Sequence, residues 1–273
     1  MFICGRRTAA VLASLVLVAA ALPLTACGAS TTSADDSAIK AVASTTQICD
    51  YITQLASDGQ DDGLSFDRTG ADGTTEHFGA DTASAKTHLT LTCLLAPNAS
   101  AHEHDMTAEQ SRALSEADLF FVSGVDLEHF LDDAVTSTGF KGSMVVTSGV
   151  AGAADVDDLD AQLAKEKELP YTVDRGTTKV DVATWPFPPE DGESEPEFRF
   201  DPHVWTSPKN AIVQVTNIGA ALEKASPESA DLLSTRTQSY VDRLNDLDAW
   251  ARTSLETVPA DKRVLFTSHD AFG

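Results

Sequence analysis

The sequence predicts an α/β protein: one lobe built on a mainly parallel sheet, a long rigid helix, and the first strand of a second lobe. Three observations predict it. From Ile39 to Val146, short apolar runs alternate with amphipathic stretches, the rhythm of strands joined by crossover helices. A helical stripe then continues from Ser226 to about Thr257. Roughly thirty residues of helix span about 45 Å, more than a small lobe is wide, so this helix suits a link between lobes. A fresh apolar run, Arg263 to His269, follows it closely. One strand cannot bury its apolar face alone, and a lobe needs on the order of 100 residues. The expectation is a chain holding only the start of its second lobe, against the alternative that this strand joins the first sheet.

Residues 1–26 read as an export signal. Arg6 and Arg7 precede an apolar run from Ala9 to Leu22, too short to span a bilayer comfortably. Leu24-Thr25-Ala26-Cys27-Gly28 resembles a bacterial lipobox, which makes Cys27 the expected lipidation site. The expected location is then the outer face of the plasma membrane, held by a lipid anchor. Residues 27–37 are small and polar and read as a flexible tether.

Residues 38–226 form the expected first lobe. Ile39 to Thr46 reads as a strand running into a polar turn, and Gln47 to Leu55 as a helix with Ile48, Ile52 and Leu55 on one face. Asp58 to Ala85, rich in Gly, Asp and Thr without a period, reads as an inserted surface loop. His88 to Leu95 alternates and reads as the second strand. Thr107 to Ala117 reads as a helix opened by a Thr107–Gln110 capping box. Leu119–Val122 and Met144–Val146 read as strands flanking a helix over Leu127–Val135. Asp155 to Phe200 breaks the rhythm, and its Pro-rich, Glu-rich part from Pro186 to Pro196 reads as an exposed acidic loop. Asn210 to Lys224 is an amphipathic helix. Ser226-Pro227-Glu228 then supplies an N-cap, a first-turn proline and an acid for the linking helix over 227–257. Residues 258–273 are the expected start of the second lobe.

The net charge of −23 becomes −25 once residues 1–26, with two arginines and no acid, are removed. Such a surface repels phosphates, which argues against nucleic acid as a partner. Cys49 and Cys93 are the cysteines left after the signal and the lipid site are assigned. In an oxidising compartment they either form a disulfide or stay as two buried thiols.

Among seven histidines, position separates three. His102 follows the second strand, His203 precedes a helix, and His269 ends the last strand. Ligands of open α/β sheets bind outside the carboxyl ends of the strands, so these three can converge. His77 lies in the inserted loop and His129 in a predicted helix, and neither has that claim.

Three blocks in order carry a resemblance: Asp201-Pro202-His203-Val204-Trp205, Pro208-Lys209-Asn210-Ala211, and Thr267-Ser268-His269-Asp270-Ala271-Phe272-Gly273. With Ser115–Leu119 and Gly124–Glu128, the chain from Ile39 to Gly273 resembles the zinc- and manganese-type solute-binding lipoproteins of ABC importers. The resemblance implies two similar βα lobes with the metal between them. It also implies delivery of a divalent metal to an ABC permease and its ATPase. Register places His102 at the first ligand, with His104 as the rival because Ser100-Ala101 replaces the family's Asp-Pro. His203 is the second ligand. His269 is the third, where manganese members more often have glutamate. The fourth is a carboxylate late in the second lobe. Three imidazoles favour Zn2+, with Mn2+ as the alternative cargo. Zinc members often carry a histidine-rich stretch before the second ligand, and Thr184 to Phe200 has none.

Three other readings compete with capture. A zinc hydrolase would use three ligands and a general base, for which Glu103, Asp201 and Asp270 are available. Those acids fit better as partners that orient imidazole N–H groups. A siderophore- or haem-binding relative shares the two-lobed plan but would want Arg, Tyr or Trp in the cleft. A cell-adhesion protein (an adhesin) or a purely structural surface protein would leave the three histidines unexplained.

Overall fold

In the computed structural model, which describes residues 38–57, 63–189, 192–267, 269 and 271, β1 (Ile39–Ala43) lies in the middle of the sheet. The other strands are β2 (Leu64–Thr69), β3 (Thr75–Gly79), β4 (Thr87–Cys93), β5 (Leu119–Val122), β6 (Ser143–Val146) and β7 (Thr172–Asp174). They form one seven-stranded sheet in the order β3-β2-β4-β1-β5-β6-β7. Every neighbouring pair is parallel except β2–β3. Cys27, the expected signal of residues 1–26 and the tether of 27–37 lie outside the described residues.

Alternation along the central strands sends side chains to two cores. Ala41, Ala43, Leu91, Phe121 and Val145 meet Ile48, Ile52 and Leu55 of α1 (Thr46–Ser57) and Val215, Ile218 and Leu222 of α6 (Pro208–Ala225). Val42, Phe120, Val122 and Val146 meet Leu114 of α2 (Ala108–Ser115) and Ala134 and Val135 of α3 (Leu131–Thr138) on the other face. Both faces are covered, as a parallel sheet requires. α2 opens with the capping box: Thr107 accepts from the Gln110 backbone, and the Gln110 side chain accepts from Thr107. Cys49 of α1 and Cys93 at the end of β4 are joined by a disulfide, with Cα atoms 5.6 Å apart.

α7 (Ala230–Glu256) lies against α6 and α1 over its first half. A Cβ at Gly219 would come within 2.3 Å of Thr237, so that helix contact needs glycine. The buried Arg236 donates from Nη1 to the carbonyls of Leu55 and Ala56, capping α1. Along the second half of α7, Leu247, Trp250 and Leu255 are exposed. Among the described residues no helix is long and apolar enough to cross a membrane.

The structure corrects five local expectations. The stretch from 63 to 79 is not an unstructured insertion but the β2–β3 hairpin, which extends the sheet beyond β4. Asp67, Arg68, Glu76 and His77 pair across it, so polar edge-strand residues hid its period. The irregular stretch after Asp155 contains α4 (Ala153–Asp157), α5 (Leu159–Glu166) and β7. The helix expected from Leu127 starts at Leu131, and Glu128 instead turns back to accept from the Ser123 and Gly124 N–H groups. Pro227–Ser229 form a separate 3-10 turn, and neither Ser226 nor Ser229 makes a side-chain cap bond. Residues 263–267 are not a strand. Val264, Leu265 and Phe266 are exposed and have no ladder partner among the described residues, and a strand without a partner leaves its backbone groups unpaired.

Asp67 links the three strands of the outer sheet. It accepts from His77 Nδ1 at 2.7 Å and from His88 Nε2 at 2.9 Å. Partial burial works against the charged carboxylate, but the two histidine hydrogen bonds outweigh it and hold Asp67 below the usual carboxylate range. A depressed carboxyl stabilises the fold above its unfolded value of about 3.9 and loses that contribution as pH falls through its lower folded value. Asp67→Asn should therefore melt below the wild type at pH 5, and the gap should close as pH drops below about 4. Thermal unfolding across that range checks it. A gap unchanged at the lowest pH would remove the charge from the explanation.

Candidate metal centre

Three loops at the carboxyl ends of the strands bring His102, His203 and His269 together. His102 lies on the connection from β4 to α2. His203 lies just before the 3-10 turn Val204–Thr206 that leads into α6. His269 comes from the segment after α7. One ligand atom from each lies within 4.8 Å of the other two. Their ring centroids are 5.3 Å (His102–His203), 5.3 Å (His203–His269) and 6.2 Å (His102–His269) apart. Nitrogens around a tetrahedral zinc at about 2.0–2.1 Å would stand roughly 3.4 Å apart, so a bound ion would draw the rings slightly inward. The cluster opens into a cavity of about 460 Å³ lined also by Thr46, Gln47 and Trp205.

The polar contacts orient two of the rings. Asp201 Oδ1 accepts from both the backbone N–H and the Nδ1 of His203, each at 2.9 Å. This places the ring proton on Nδ1 and leaves the Nε2 lone pair inward, where Nε2 is buried without a protein partner. His203 itself is 2% exposed. The Leu127 backbone faces the His102 ring, and the ring Nδ1 is likewise buried without a partner. Burial, with the neighbouring His203, pushes the His102 imidazole below its ordinary value and favours the neutral, ligating form. An imidazole whose other nitrogen is held by a carboxylate or a carbonyl is the usual arrangement at a metal. The donor set therefore fits a transition ion that takes nitrogen ligands.

The other candidates are placed differently. His104 turns away from the cluster, its Nε2 3.1 Å from Gln110 Oε1 and its ring against Phe130. Glu103 is exposed, and Asp201 is engaged by His203. Asp270 lies outside the described residues.

Sequence reasoning missed an aromatic wall. The ends of the acidic loop fold back through a Thr184–Phe200 bridge and bury Trp185 and Phe198. The Phe198 ring lies 5.3 Å from His102, and the Trp185 ring 5.9 Å from His203. Trp205 lies 5.4 Å from His203, so the indoles flank an imidazole rather than form a haem-type cleft. His129 also stands 5.9 Å from His102, because the expected helix around it begins two residues later. Only the apolar punctuation of Trp185 and Phe198 within an acidic stretch could have marked that wall.

Residues 80–273 match the family described as zinc-uptake complex component A, periplasmic. The chain is 29% identical to the manganese-binding lipoprotein MntA of Bacillus subtilis over 185 residues, 68% of this chain and 49% of that protein. It is 36% identical to the zinc-binding protein TroA of Treponema pallidum over 99 residues, 36% of this chain and 32% of that protein. The solved structure of the periplasmic zinc-binding protein TroA from Treponema pallidum shares the fold, with a TM-score of 0.53 at 22% identity over 85% of this chain and 61% of that one. The chain thus spans about half the length of MntA.

Proposed function

Because the chain belongs to the zinc-uptake component A family, we propose that it captures a divalent transition metal, zinc in preference to manganese, outside the cytoplasm. In this reading it hands the ion to an ABC permease driven by its ATPase, and a lipid on Cys27 holds it at the membrane. His102, His203 and His269 are the protein ligands, with Asp201 orienting His203. The single observation that carries the reading is the convergence of three imidazoles from separate loops, two with an inward nitrogen buried and unpartnered. Three nitrogen donors suit zinc better than manganese, which prefers oxygen ligands. Residues 38–226 are then the first lobe, 227–257 the link, and 258 onward the start of the next lobe. The exposed Leu247, Trp250 and Leu255 of α7 support a helix that carries a neighbour.

Competition titration tests this with Zn2+ and Mn2+ on the wild type, His102→Ala and His269→Ala. The expected outcome is one Zn2+ per chain, bound more tightly than Mn2+, with both variants weakened. Wild-type affinity in both variants would sink the ligand assignment, and tighter Mn2+ binding would sink the choice of metal.

A further inference from the structure

The turn that holds His102 from behind is built in a costly conformation. Gly124, Val125 and Asp126 have φ of 85°, 56° and 57°. Glycine accepts this region, and a Cβ at Gly124 would meet the Val150 carbonyl at 2.3 Å. A β-branched valine rarely accepts it, and two consecutive non-glycine residues there persist only when the surroundings over-determine them. The surroundings here are specific. Val125 N–H donates to the Val150 carbonyl at 2.9 Å and Asp126 N–H to the Ala151 carbonyl at 3.1 Å.

A buried carboxylate closes the turn. Glu128, 6% exposed, accepts at Oε1 from the Ser44 hydroxyl and the Ser123 N–H, both at 2.6 Å, and at Oε2 from the Gly124 N–H at 3.2 Å. Ser44 follows β1 and Ser123 follows β5, so one side chain ties the ends of two central strands to the turn. The residues on either side of Glu128 are the ones that hold His102. Leu127 meets its ring through the backbone, and His129 N–H donates to its carbonyl at 3.1 Å.

We propose that Glu128 is a positioning residue of the metal centre: by closing the strained 124–129 turn onto two strand ends, it sets the direction of the His102 ring. The inference rests on the ligand reading above and names the support that reading lacks. A group bonded directly to a metal ligand typically changes affinity about 10–100-fold when altered, and Glu128 acts one link further out, through Leu127 and His129. Glu128→Gln keeps size and one acceptor but turns an NH2 toward the Gly124 N–H, donor against donor. The expected result is a loss of Zn2+ affinity at the lower end of that range, about tenfold, and a changed Co2+ absorption spectrum in the cobalt-loaded protein.

The test compares Glu128→Gln with His203→Ala and with Phe140→Ala, which removes a buried ring at the opposite, amino-terminal end of the strands. Phe140→Ala should lower the melting temperature yet keep wild-type Zn2+ affinity and Co2+ bands. If it loses as much affinity as Glu128→Gln, the effect is stability and the proposal fails. If Glu128→Gln keeps wild-type affinity and bands while His203→Ala loses the metal, the proposal fails and the ligand reading stands. If His203→Ala also binds as the wild type, both fail. Should Glu128→Gln not fold, Ser44→Ala, which leaves the carboxylate and removes one donor, is expected to give a several-fold loss with bands shifted. Wild-type values in Ser44→Ala would then overturn the proposal.

Discussion

His203→Ala should weaken zinc binding by more than about a hundredfold, beyond the 10–100-fold typical of losing an outer partner. His203 is the most enclosed of the three imidazoles, its Nδ1 held by Asp201 and its Nε2 unpartnered. Alanine removes the ligand and leaves the Asp201 carboxylate with only the backbone N–H. It also opens a gap between Trp185, Phe198 and Trp205, so the metal-free protein should melt lower too. The two effects separate through the zinc-induced gain in stability. Zinc at a hundredfold excess over its dissociation constant stabilises the wild type by about 2.7 kcal/mol, and a site weakened a hundredfold gains only about 0.4 kcal/mol at the same concentration. Unfolding with and without zinc measures both numbers. An undiminished gain in the variant would remove His203 from the site.

Replacing both Cys49 and Cys93 by alanine should cost about 4 kcal/mol. The bond spans 44 residues, and closing a loop of that length restricts the unfolded chain by about that amount in the chain-entropy model. The loop contains the whole β2–β3 hairpin, and the bond ties the start of α1 to the end of β4, close to where the His102 connection leaves the sheet. Urea unfolding of the oxidised wild type and the double variant gives the difference. A loss under about 1 kcal/mol would show that the unfolded chain already holds that loop. Zinc affinity should fall less than the stability does, because His102 is held by the 124–129 turn rather than by the disulfide.

Much of the fold was legible because burial and period coincide in the central strands. β1, β4, β5 and β6 are apolar runs bounded by turns, and α1, α2 and α6 carry one apolar face each. The Thr107–Gln110 box is a local hydrogen-bond pattern and was readable for that reason. The β2–β3 hairpin was not, since its outer strand is largely exposed and its cross-strand pairs are charged. The supposed strand at 263–269 failed for the opposite reason. An apolar run states that burial is wanted, but only a partner edge makes it a strand.

The sequence by itself determined the αβ alternation and the long helix, and placed His102 just beyond a strand and His203 just before a helix, because each follows from local period and chain order. Tertiary structure alone decided that three loops bring those imidazoles and that of His269 within reach of one another. It also decided that His104 turns to Gln110 and that Trp185 and Phe198 fold over the cluster. Only in three dimensions does the 124–129 turn, built on Glu128, come to hold His102. Those outcomes depend on contacts between residues up to 167 positions apart, as between His102 and His269. A sequence specifies such contacts only through the packing of the whole sheet.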